Sequence, residues 1–178
     1  MTRSNLEHLI RATGTIADDT DIVIIGSQAV LGQYPAADAR LPVSREADVY
    51  PRDHPERSDL IDGSIGEGSP FEREFGYYAH GVDASTAVLP DGWQDRLVLV
   101  SGPNTRDVRG WCLEVHYLAV AKLVAGREKD LDFLRVLHQG RYITAQTVLE
   151  RLRAAKIDVQ LRPMVEARLA RIQQENAA

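Results

Sequence analysis

Apolar and polar positions alternate between two periods along this chain, and the change from one to the other divides it. Near the N-terminus, Leu6, Leu9, Ile10 and Thr13 recur at helical spacing, which predicts an amphipathic helix over 5–16 with Ser4 as its N-cap. Ile22 to Ile25 is a run of four β-branched residues, the composition of a strand covered on both faces. A Gly-Ser turn at Gly26-Ser27 and a short helix over 28–32 follow, then a loop over 34–44 rich in Ala, Asp and Pro and suited to a flap. Further strands are expected at 46–50, 77–83, 96–101 and 108–113. Between them, 55–65 reads as a helix with Leu60, Ile61 and Ile65 inward, and Ser69-Pro70 opens a shorter one. Beyond Leu113 the period is helical throughout, over 115–125, 128–138, 144–155 and 162–175, with Gly126 and Gly140 as breaks.

This outline predicts an α+β (or α/β) fold. A short mixed β-sheet core occupies 1–114 and a C-terminal helical bundle occupies 115–178, together making one compact domain. Its 178 residues, 44% hydrophobic and 26% charged, are enough for a buried core. No apolar run approaches membrane-spanning length, and the opening MTRSNLEHLI has no apolar h-region, so a cytoplasmic protein without membrane contact is expected. The single cysteine, Cys112, excludes an internal disulfide and a cysteine-based zinc site. A formal net charge of −5 argues against a generic nucleic-acid binder. Residues 141–178 carry seven Lys/Arg against four Asp/Glu, a basic tail that permits RNA contact without demanding it.

The candidate chemistry begins at 21–50. Glu46 and Asp48 lie two apart on a predicted strand, so both carboxylates project from one face. Such a pair repels itself unless a cation lies between, and hard oxygen ligands suit Mg2+. Charged residues also protect edge strands, so both readings stand for this pair. Gly26-Ser27 offers free N–H groups and a hydroxyl to a phosphate, or is an ordinary strand-to-helix turn. Asp83, at the end of a neighbouring strand, is either a third metal carboxylate or a turn residue. Lys122 is the one formal charge in VHYLAVAKLVAG, on a helix apolar nearly all round. A buried lysine requires an anionic partner, whereas a snorkelling one has its head at the surface. Arg127 and Asp130, three apart, form a solvated pair or, with Lys129, a phosphate-binding segment in which Asp130 orients Lys122 or acts as a base. The five histidines show no metal-ligand spacing and are read as structural or incidental. Nothing resembles a P-loop, a Rossmann turn or a covalent hydrolase.

Gly-Ser followed some twenty residues later by an acid-x-acid strand resembles the DNA polymerase β-type nucleotidyltransferase superfamily. The run KLVAGREKDLDFL resembles the K-L-x-x-x-R-x-K-D segment of bacterial minimal nucleotidyltransferases, including abortive-infection toxins of type IV toxin–antitoxin pairs. The likeness spans about residues 22–137. It implies a Mg2+-dependent (or Mn2+-dependent) transfer of NMP from an NTP to an RNA, tRNA included, or a protein acceptor, with an antitoxin as partner. A degenerate member that binds nucleotide or protein without turnover is the alternative. By the same resemblance Gly26, Ser27, Lys122, Arg127 and Lys129 bind nucleotide. Glu46, Asp48 and Asp83 bind metal, and these acids with Lys122 and Asp130 form the catalytic set. Glu46 stands where the superfamily pattern has Asp.

Overall fold

The computed structural model describes residues 1–41 and 44–175, and the chain divides into two compact units. The first comprises Met1–Thr86 and Arg96–Glu114, the second Ala87–Asp95 and Val115–Ala178. Part of the expected flap, Pro42 and Val43, lies outside the described residues.

The first unit opens with helix α1 (Arg3–Ala17), which buries Leu6, Leu9, Ile10, Thr13 and Ala17. Its N-cap is Thr2, not Ser4. The Thr2 hydroxyl accepts the Asn5 N–H, and the Asn5 side chain accepts the Thr2 N–H at 2.8 Å. That reciprocal pair satisfies two otherwise orphaned donors, which Ser4, already inside the first turn, cannot do. Strand β1 (Asp21–Ile24) is buried throughout. A three-residue 3-10 turn, Ser27–Ala29, leads into α2 (Val30–Gln33). Then follow β2 (Glu46–Pro51), α3 (Ser58–Ile65) and α4 (Pro70–Phe75). The unit is completed by β3 (Tyr78–Gly81), β4 (Val98–Val100) and β5 (Arg109–Cys112). In α3, Ile61 and Ile65 are buried but Leu60 is exposed. Ile61 and Ile65 are four apart and share a face, and Leu60, one residue earlier, is turned well away from it.

The strands form one sheet in the order β3-β2-β1-β5-β4, confirming the mixed α+β architecture. β1 pairs antiparallel with β2 and parallel with β5, while β3 runs parallel to β2. The registers set Ile22, Ile24, Ala47, Val49, Gly81 and Gly110 on one face. Helices α1 and α3 pack there. A Cβ on Gly110 would meet the Ile10 side chain, and one on Gly81 would meet the Ser58 carbonyl oxygen at 2.1 Å. Both glycines are therefore set by close helix–sheet approach. The opposite face of the strands carries Asp21, Glu46, Asp48, His80 and Trp111.

In the second unit, α5 (Val115–Ala125), α6 (Glu128–Gln139), α7 (Ala145–Ala154) and α8 (Arg162–Glu175) pack on one another. Val115, Leu118, Val120, Leu123, Leu134, Leu137, Val148, Leu152, Val165 and Leu169 form their core. Helix α5 ends at Gly126, whose φ of +61° is left-handed, the usual terminator where a Cβ would be strained. Arg168 reaches back to cap that end, donating to the carbonyls of Leu123 and Val124. No described helix is long and apolar enough to cross a membrane.

Candidate functional site

The Gly-Ser turn and the acid pair, twenty residues apart in sequence, are in direct contact. The β1–β2 ladder continues past β1, with the Ile25 N–H donating to the Asp48 carbonyl at 3.1 Å. Gly26 then passes so close to Asp48 that a Cβ would sit 2.1 Å from Oδ2. Its φ of −83° is open to any residue, so small size is what the position requires. Gln28, fully buried, anchors the turn by donating to the Ser44 carbonyl at 2.8 Å. The Ser44 hydroxyl in turn accepts the Glu46 N–H. Gly26 occupies the N-cap position of the turn, leaving half-buried Ser27 as its first residue.

On β2, Glu46 and Asp48 are half-buried, while Ala47 and Val49 between and beyond them are buried. Period-two alternation thus turns both carboxylates outward together. Strand β3 sets His80 directly opposite Asp48. Its Nδ1 lies 3.0 Å from Glu46 Oε1 and 3.3 Å from Asp48 Oδ1. The donor atoms of all three lie within 4.8 Å of one another, a grouping able to hold a metal ion. Burial by itself lowers the pKa of His80. The hydrogen bond to Asp48 and the charges of Asp62, Asp48 and Glu46 outweigh that and raise it above its ordinary value.

His80, read from the sequence as structural or incidental, is brought by the β2–β3 pairing into the same grouping as Glu46 and Asp48. The available signal was a lone polar side chain in the run YAHGV, the kind of signal that drew attention to Lys122. Asp83 lies two residues beyond β3 and outside this grouping. Its carboxylate accepts the Ser85 N–H at 2.7 Å, and the Ser85 side chain together with that backbone bond holds its pKa below the ordinary value.

A second acidic grouping, Asp19, Asp21 and Asp53, stands at the opposite end of β1. Here the oxygens of Asp19 and Asp21 are committed to the fold. Asp19 accepts the backbone N–H groups of Asp21, Asp53 and His54. Asp21 pairs with Arg109 and accepts the Trp111 indole N–H at 2.5 Å. Against the raising effect of burial, those bonds and the Arg109 charge hold the Asp21 carboxyl below its usual range.

Within the second unit, Lys122, Arg127 and Asp130 come together. Asp130 is fully buried. Its Oδ1 accepts from Lys122 Nζ at 2.7 Å and its Oδ2 from Arg127 Nε at 2.6 Å. The lone charge of α5 therefore has the anionic partner its burial demands, and Nζ also lies 5.3 Å from the Phe133 ring centroid. Burial alone would raise the Asp130 carboxyl, but the bonds from Arg127 and Lys122 carry it below its ordinary value. Lys129 is exposed.

A family model described as "Nucleotidyltransferase of unknown function (DUF6036)" matches residues 4–168. No curated protein and no solved structure matches the chain.

Proposed function

The chain belongs to this nucleotidyltransferase family, and from that premise we propose a metal-dependent transfer of NMP from an NTP to an acceptor hydroxyl, with the metal held at Glu46 and Asp48. The observation that supports this most is the contact between Gly26 and the Asp48 carboxylate, which joins the Gly-Ser turn to a pair of hard ligands. The donor set suits a divalent cation. Oxygen ligands about 2.1 Å from a metal stand roughly 3 Å apart when adjacent, compatible with a grouping whose atoms lie within 4.8 Å of one another. When bound, such a cation supplies positive charge to the transferring phosphate.

Every other role falls to the chain. Glu46 and Asp48 hold the cation from a rigid strand, and Gly26 leaves the phosphate turn room beside them. Ser27 offers its hydroxyl and its own backbone N–H to the phosphates. Lys122, Arg127 and Lys129 are proposed as phosphate-binding cations, and Asp130 as the residue that holds Lys122, on the resemblance of KLVAGREKD to the minimal nucleotidyltransferases. That resemblance also supports an RNA or protein acceptor and an antitoxin partner.

The test is incubation with each labelled NTP, total cellular RNA and Mg2+ or Mn2+. Labelled product is expected from the native chain. Glu46→Ala and Asp48→Ala should each lower transfer by about 10³-fold or more, the several kcal/mol of charge stabilisation a metal provides, with circular dichroism unchanged. Full activity in the double variant overturns the proposal. One observation favours a second reading, nucleotide binding without turnover: His80 already sits against both carboxylates and, when protonated, offsets one of their two charges without a metal. Saturable NTP binding in calorimetry with no pyrophosphate release would establish it.

A further inference from the structure

We propose that His80 is the third ligand of the cation at Glu46 and Asp48, and that its nitrogen selects Mn2+ over Mg2+; this rests on the reading that the acid pair holds the metal. Backbone register puts His80 there. Asp48 and His80 are paired residues of the parallel β2–β3 ladder, so their side chains leave the same face as neighbours whatever rotamer each adopts. The position is not borrowed from a loop that can move away.

The nitrogen is also well aimed. Nδ1 is 3.0 Å from Glu46 Oε1 and 3.3 Å from Asp48 Oδ1, so a cation accepted by both oxygens would have this atom at its edge. The nearby acids do not take its place. Asp83 is bonded to the Ser85 N–H and Asp62 to the Gly81 N–H. Neither belongs to a metal-sized grouping, and among the described residues the third donor beside this pair is a nitrogen.

A nitrogen ligand changes which cation is preferred. Mg2+ is a hard ion that takes oxygen and keeps its water, whereas imidazole affinity rises along the first transition series from Mn2+. Two carboxylates and an imidazole therefore favour Mn2+ over Mg2+. The exposed ring costs the core little when replaced, so His80→Asn is expected to fold.

The experiment is pulsed EPR of the 178-residue chain loaded with Mn2+, alongside calorimetric titration with Mn2+ and with Mg2+. The native chain should show nitrogen modulation from a directly bound imidazole. In His80→Asn that signal should vanish, and the preference for Mn2+ over Mg2+ should fall by about tenfold or more, the scale on which ligand-sphere changes act. Mn2+ binding without nitrogen modulation, or an unchanged preference in His80→Asn, overturns the assignment of His80 while the acid-pair reading stands, provided Asp48→Asn abolishes binding. Absence of binding in the native chain, or binding unaffected by Asp48→Asn, overturns both.

Discussion

Gly26 and Asp48 show how one missing methyl group shapes a site. The Asp48 carboxylate occupies the space that a Cβ on Gly26 would need. A carboxylate on a half-buried side chain can rotate away, so Gly26→Ala should change stability by about 1 kcal/mol or less. It should nevertheless displace a proposed ligand. Transfer is expected to fall at least about tenfold, with affinity for the divalent cation falling in parallel. Urea unfolding and metal titration of the same variant check both halves of that statement. A glycine kept only for its turn conformation would give the opposite pattern, and the φ of −83°, open to any residue, already argues against that role. Among these residues Glu46 and Asp48 were legible from alternation alone, whereas His80 was not. Its significance lies in the pairing of β2 with β3, and strand register is a long-range choice that no local spacing records.

Elements were legible to different depths. The apolar run of α5 announced a buried helix and the need for an anion at Lys122, and Asp130 of α6 supplies it at 2.7 Å. Breaking such a pair leaves a lysine with only 12% of its side chain exposed and no carboxylate. Asp130→Ala should therefore destabilise the chain by about 3 kcal/mol. The pH dependence has a definite sign. The Asp130 pKa is lower in the folded chain than in a free carboxylate, so its contribution is complete above the ordinary carboxylate pKa. It is lost as pH falls through the lowered folded value. Denaturant unfolding at a series of pH values should show the gap between native chain and Asp130→Ala narrowing on acidification. Helix ends were less legible than helix interiors. Ser4 and Thr2 are both good caps by type, and the choice of Thr2 depends on its exchange of hydrogen bonds with Asn5. Strand ends were overestimated for a similar reason: 77–83 contracts to Tyr78–Gly81 because pairing, not apolar character, ends a strand.

At the scale of the whole molecule, the two ends of β1 carry different duties. One end meets Gly26, Glu46, Asp48 and His80, whose polar atoms face outward. The other holds Asp19, Asp21 and Asp53, where Asp19 gathers three backbone N–H groups and pins the start of the strand to the segment after β2. Asp19→Ala should lower stability by about 2–3 kcal/mol, the range for hydrogen bonds to a buried charge. It should leave cation affinity unchanged. Asp48→Asn should do the reverse. Thermal melting and cation titration on the two variants would show the separation, and loss of cation binding in Asp19→Ala would contradict it.

What the sequence determined by itself was set by short-range physics. Period 2 and period 3.6 marked the strands and helices, alternation set Glu46 and Asp48 on one face, and the apolar surroundings of Lys122 called for a buried partner. The grouping of Glu46, Asp48 and His80, the contact of Gly26 with Asp48, and the commitment of Asp19 and Asp21 to the fold were decided only by tertiary structure. Each depends on which strands pair and in what register, and that choice is made by burying the whole core at once.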